Sequence, residues 1–130
     1  MQAGRLGVGS EGERAAKTYL QAQGFRILHE NYTTPLGEID LIAQEGEVVV
    51  FVEVKARRSA EFGPPQASVT LAKQRQIVKV AELFLQRHRR LSRAACRFDV
   101  VAVTFAGYEA SKPEILLIRD AFSSEGTALF

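Results

Sequence analysis

The chain has 130 residues, nearly half of them apolar and a quarter charged, which suits one globular domain with a sizeable core. A net charge of +2 names no polyanionic partner, and a single cysteine, Cys96, excludes an internal disulfide framework and a cysteine-based zinc site. No stretch approaches the roughly 20 apolar residues of a membrane span, and the N-terminus lacks a signal-length apolar run, so a cytoplasmic protein without a membrane partner is expected.

No repeat, low-complexity block or long linker interrupts the sequence, so residues 1–130 read as one domain, with a core at about 9–122 and a short tail, SSEGTALF. A first helix is expected over 10–23, opened by the S-x-x-E capping box of Ser10 and Glu13 and ended by Gly24. Ala16 and Leu20 follow Glu13 on the same helical stripe. FRILHENY reads as a strand and TTPLG as a turn, followed by the strands GEIDLIA and EVVVFVEVKA. AEFGPPQ breaks the pattern. Leu71, Gln74, Ile77, Val78, Ala81, Phe84 and Leu85 then trace an amphipathic helix at about 68–90. CRFDVVAVTF and PEILLIRD complete an α-β-β-β-α-β-β order, an α/β fold around a mixed sheet. The helix between the third and fourth strands implies a right-handed parallel crossover, but the pattern does not give the strand order.

The stretch VVVFVEVKARR places Glu53 and Lys55 on one face of a strand whose valines at 48, 50, 52 and 54 form the other. A two-residue loop at Glu45-Gly46 pairs Gln44 with Glu47, hence Asp40 with Phe51 and Glu38 with Glu53. Asp40, Glu53 and Lys55 then share a face. Glu38 joins them near the strand end, and Asp40 and Glu53 are diagonal neighbours about 7 Å apart. Two carboxylates so close repel unless a cation compensates, and Mg²⁺ or Mn²⁺ suits such oxygen ligands. An ion held there, with Lys55 beside it, suits phosphodiester hydrolysis. The competing reading is an Asp/Glu/Lys ion-pair cluster that only caps a strand end.

GEID, followed by FVEVK, resembles the active-site core of the PD-(D/E)xK nuclease superfamily. More closely, GERAAKTYL, ENYTTPLGEIDLIA, FVEVKARRSAEFG, the Lys73 region and RFDVVAV resemble, in order, the YraN-like UPF0102 family. Gly37-Glu38 stands where the superfamily name has Pro-Asp. The resemblance implies a restriction-endonuclease-like αβββαβ core, with a mixed sheet flanked by helices, similar to archaeal Holliday-junction resolvases. It implies a metal-dependent DNA endonuclease acting on branched or structured DNA, with Mg²⁺ or Mn²⁺ as cofactor. Asp40 and Glu53 resemble the metal ligands, completed by the Val54 backbone carbonyl. Lys55 resembles the catalytic lysine, and Glu13 the first-helix glutamate that supports the site and can join the metal ligands. A non-catalytic nucleic-acid-binding or accessory protein that retains the nuclease fold is the alternative.

Arg57 and Arg58 extend the same strand and are either solvated charges or phosphate contacts. Lys73 and Gln74 open the second helix, and the resemblance brings them near nucleic acid. Arg87, His88, Arg89, Arg90, Arg93 and Arg97 crowd one region, as a solvated helix end or a phosphate-tracking patch. Asp99 is expected to hold an arginine or a strand end rather than metal, and His29 and His88 to be structural or surface residues. GVGSEG matches G-x-G-x-x-G without the preceding strand a dinucleotide site needs. A homodimer fits an enzyme that makes two cuts.

Overall fold

The computed structural model describes residues 8–58, 65–105 and 112–124. Helix α1 (Val8–Ala22) starts before Ser10, so Ser10 and Glu13 lie inside its first turns and do not form the expected N-cap. Packing overrides the local capping preference here. A Cβ at the buried Gly12 would stand 2.5 Å from the Ala56 Cβ, so the first turn lies hard against the sheet. The helix ends as expected, with Gly24 at φ +98°, where the missing side chain is needed. The Phe25 and Gly24 amides donate back to the Leu20 and Gln21 carbonyls, a Schellman arrangement.

Strands β1 (Arg26–Thr34), β2 (Gly37–Glu45), β3 (Val48–Arg57), β4 (Cys96–Thr104) and β5 (Glu114–Phe122) form one five-stranded sheet in the order β1-β2-β3-β4-β5. The β3–β4 pair is parallel and the other pairs are antiparallel, so the sheet is mixed, as expected. Helix α2 (Leu71–Arg87) makes the β3–β4 crossover. It is shorter than the expected 68–90, because its flanks are separate 3-10 turns at Pro65–Ser68 and Arg89–Leu91. Thr70 caps it, its side chain accepting from the Lys73 amide at 3.1 Å. This architecture is compatible with a restriction-endonuclease-like core.

The two faces of the sheet carry separate cores. Ala16 and Leu20 of α1 pack with Leu41, Val50, Val52, Val101 and Val103, joined at the edge by Val48 and Val54. Ile77, Val80, Ala81 and Phe84 of α2 pack with Val49, Phe51, Phe98 and Val100. The even-numbered valines of β3 therefore face α1, and Phe51 faces α2, as the alternation predicts. His29 and His88 are structural: both rings pack against Phe84, at 5.4 and 4.0 Å between centroids.

The hairpin differs from its expected register. Its loop is Gly46-Glu47, with Gly46 at φ +59°, and it pairs Glu45 with Val48 and Gln44 with Val49. Gly46 at the first loop position suits a II′-like turn, which moves the loop one residue along. Moving the loop by one residue preserves face parity. The continued register would set Asp40 opposite Glu53 rather than Phe51. The ladder stops first, at Leu41↔Val52.

Beyond that pair, alternation along β2 breaks. Ile39 and Ile42, three positions apart, both belong to the α2-side core, while Leu41 lies in the α1-side core. Their partners on β1 behave alike, Tyr32 opposite Ile39 and His29 opposite Ile42, with Asn31 between them at φ +51°. The β1–β2 ribbon thus twists over between Asn31 and Asp40, and β2 parts from β3 there.

Candidate active site

The parting of β2 from β3 positions Asp40. Its side chain takes over from the backbone ladder, with Oδ2 accepting the Val54 amide at 2.8 Å. Amide and carbonyl of one strand residue face the same neighbour. The Val54 carbonyl therefore faces the β2 side as well, past the last ladder pair.

Glu53 lies on the α2-side face of β3, 6 % exposed, in register with Val100 of β4. Lys55, the next residue on that face, puts Nζ 3.5 Å from Glu53 Oε2. Burial raises the Glu53 carboxyl to about 7. The Asp40 charge adds to this rise, while Lys73 and Lys55 oppose it. Asp40 also lies within side-chain hydrogen-bonding reach of Glu53. Two carboxyls and two ammonium groups thus act on one another at the mouth between β2, β3 and the start of α2. Lys73 was expected only as a phosphate contact, yet it faces Glu53 from the helix.

The expected residues divide clearly. Asp40, Glu53, Lys55 and the Val54 backbone come together. Glu38 does not join them: it is exposed, opposite Thr33 of β1, because the twist at Asp40 turns it away. Glu13 is half-buried on α1, the helix that covers the other face of the sheet. Among the described residues, no three His, Cys, Asp or Glu side chains form a group able to hold a metal ion. Oxygens that could serve a divalent ion here are the two carboxyls of Asp40 and Glu53 and the Val54 carbonyl. The electrostatic conflict between the carboxyls is what a cation would relieve.

Arg57 is half-buried, its Nε 3.4 Å from Thr104 Oγ1, and Arg58 is exposed at the end of the strand. Gln74 is buried rather than a surface contact, its Nε2 donating to the Val69 carbonyl at 2.9 Å. Its place on the apolar stripe of α2 was the available signal.

Arg97 leaves the basic cluster and grips Asp99 through Nε and Nη2, at 2.8 and 2.9 Å, as the expectation for Asp99 required. The Asp99 hydrogen bond raises the Arg97 pKa further. Arg89, Arg90 and Arg93 remain exposed at the C-terminal end of α2. That end lies about 21 Å along the helix from Lys73, at 1.5 Å per residue. The cluster is remote from the carboxylates.

Fold and site together define an α/β domain with a carboxylate pair and a lysine where two strands separate. Sequence similarity assigns its family. Residues 12–103 match the model of the uncharacterised protein family UPF0102, and the chain belongs to that family. A UPF0102 protein of Geobacter metallireducens is 47 % identical over 115 residues, covering 88 % of this chain and 91 % of the relative. One from Caldicellulosiruptor saccharolyticus is 46 % identical, covering 88 % and 96 %. One from Syntrophus aciditrophicus is 48 % identical, covering 90 % and 89 %.

Proposed function

We propose that this protein is a divalent-metal-dependent DNA endonuclease that hydrolyses phosphodiester bonds, with branched or otherwise structured DNA as its substrate. The observation that carries the reading is the buried Glu53, its carboxyl raised to about 7 beside Asp40, with Lys55 Nζ 3.5 Å away. A strand-end ion pair serving stability alone has no need to bury one carboxyl beside a second that repels it.

Asp40, Glu53 and the Val54 carbonyl would hold Mg²⁺ or Mn²⁺. Such an ion supplies charge stabilisation at the phosphoryl group and lowers the pKa of water. Lys55 donates hydrogen bonds to the attacking water or to a phosphoryl oxygen, and Lys73 adds positive charge from the opposite wall. Arg57 and Arg58 extend the positive track along β3 toward the DNA backbone. A cytoplasmic location suits this chemistry, and among the described residues no helix is long and apolar enough to cross a membrane. A homodimer would supply two such sites for paired cuts.

The test uses purified protein with linear, single-stranded and four-way-junction DNA, in Mn²⁺ or EDTA. Asp40→Asn and Lys55→Ala serve as variants, since the asparagine side chain retains an oxygen for the Val54 amide. Cleavage in Mn²⁺ is expected to fall by at least about 100-fold in each variant. Cleavage that survives EDTA would sink the mechanism. DNA binding without turnover in any metal would favour the accessory role.

A further inference from the structure

The turn that follows α2 concentrates charge of one sign. Residues 83–98 hold five arginines and no acidic residue, a charge of +5 in a chain of net +2, which leaves −3 for the remainder. Arg97 is engaged by Asp99 and Glu45. Arg87, Arg89, Arg90 and Arg93 are exposed, and among the described residues none of the four forms an ion pair. The helix macrodipole accounts for one of them. Its effect falls off within the last turn, where Arg87 sits, whereas Arg89, Arg90 and Arg93 lie past the end of α2. The turn that carries them is built into the fold. The Leu91 amide donates to the His88 carbonyl at 2.8 Å, and Ser92 Oγ to the Arg89 carbonyl at 2.9 Å. Leu91 and Ala94 pack against the α2-side core, and the Val49 amide of β3 donates to the Ala95 carbonyl at 2.9 Å. Arg90 and Arg93 line an open cleft of 560 Å³ with Gln44, Val48 and Leu91, in which the exposed Glu47 is the one acid. Like charges fixed together repel, and a bound polyanion relieves them.

We infer that this arginine turn binds the phosphate backbone of nucleic acid, at a surface separate from the carboxylate pair. The planar guanidinium suits phosphate, which it grips through two parallel N–H groups. An anionic membrane would call for apolar side chains beside the charges. The exposed large apolar residues among the described ones, Leu36, Leu71 and Leu116, all lie outside this segment. The solvent face of α2 continues the positive charge toward the carboxylates through Lys79 and Arg75, interrupted by Glu82. From Arg87 to Lys73 the track runs about 21 Å, or roughly six base steps of about 3.4 Å. Phosphate binding at the turn follows from the charges themselves. The direction of the track rests on the nuclease reading, and it names where that substrate is held beyond the reacting phosphate.

The test is fluorescence anisotropy in EDTA, across a series of salt concentrations, with a labelled DNA duplex of two helical turns, roughly 20 base pairs. Arg90→Gln with Arg93→Gln should reduce the salt slope by about 2 and weaken binding roughly 10- to 100-fold at about 0.1 M salt. Arg14→Gln with Lys112→Gln removes the same charge from exposed positions elsewhere and should change neither. Arg90→Lys with Arg93→Lys keeps the charge and should keep the slope. Melting curves check that each variant folds. Equal losses in the two glutamine pairs would overturn the inference, as would a folded Arg90→Gln, Arg93→Gln protein that binds like the wild type. A wild-type slope shallower than about 2 would overturn it without any variant. Tighter binding of poly-glutamate than of duplex at matched charge would assign the surface to an acidic protein and also overturn it. In Mn²⁺ at saturating protein, cleavage should persist in the Arg90→Gln, Arg93→Gln protein, because the carboxylate pair is untouched. No cleavage by any protein, with the salt effect intact, would strike the nuclease reading and leave the arginine turn standing.

Discussion

Burial, reinforced by Asp40, holds the Glu53 carboxyl at about 7, whereas an unfolded glutamate ionises near 4.3. Between those values the folded protein carries the extra proton. Glu53 therefore contributes stability that is complete below about pH 4.3 and lost as pH rises through about 7. Denaturant titrations of metal-free protein, compared with Glu53→Gln, isolate this effect from Glu45, whose carboxyl Arg119 and Arg97 hold below its usual value. Relative to the variant, the wild type should lose roughly 3 kcal/mol between pH 4.5 and 8. A pH-independent difference would mean that Glu53 is solvated. Adding Mn²⁺ at pH 8 should recover part of the loss in the wild type and none in the variant.

At the scale of elements, the contact of α1 with β3 sets where the strand end sits. Gly12→Ala gains up to about 1 kcal/mol of helix propensity. It also drives a Cβ to 2.5 Å from Ala56, and overpacking of that kind costs about 1–3 kcal/mol. The clash should win, and Ala56→Gly in the same chain should restore most of the stability in thermal melts. A neutral Gly12→Ala would show that the helix can retreat freely. The strands themselves were legible because their valines alternate, and α2 because its apolar stripe repeats at helical spacing. The approach of Asp40 to Glu53 was legible through parity, which survives moving the loop by one residue, although the pairing of Asp40 with Phe51 was not kept. The twist between Asn31 and Asp40 was not, because a single residue at positive φ leaves no periodic trace. Glu38 was misplaced for that reason. Ser10 was misplaced because contact with the sheet outweighed the local capping signal.

Across the whole molecule, the Arg97–Asp99 ion pair and the buried Glu53 carboxyl lie on opposite faces of the sheet. On the α1 side, Asp99 is wholly buried, bound by Arg97 and accepting the Asp120 amide at 2.9 Å. Glu45 bonds Arg97 and Arg119, and both guanidinium groups lie over the Phe25 ring, at 6.0 and 5.5 Å. Asp99→Ala leaves the half-buried Arg97 with Glu45 alone and takes the acceptor from the Asp120 amide, so it should cost about 1–3 kcal/mol in denaturant unfolding. It should leave Mn²⁺ affinity of the folded fraction unchanged, and a large loss of that affinity would show the two faces to be coupled. At the candidate site, Asp40 belongs to the β1–β2 ribbon and Glu53 to the central strands, and past Leu41↔Val52 the backbone ladder no longer ties these two bodies together. A cation shared between the carboxyls would be a staple across an open seam. Loading it would stiffen a lever arm of the fold at the same place where it creates the reactive centre.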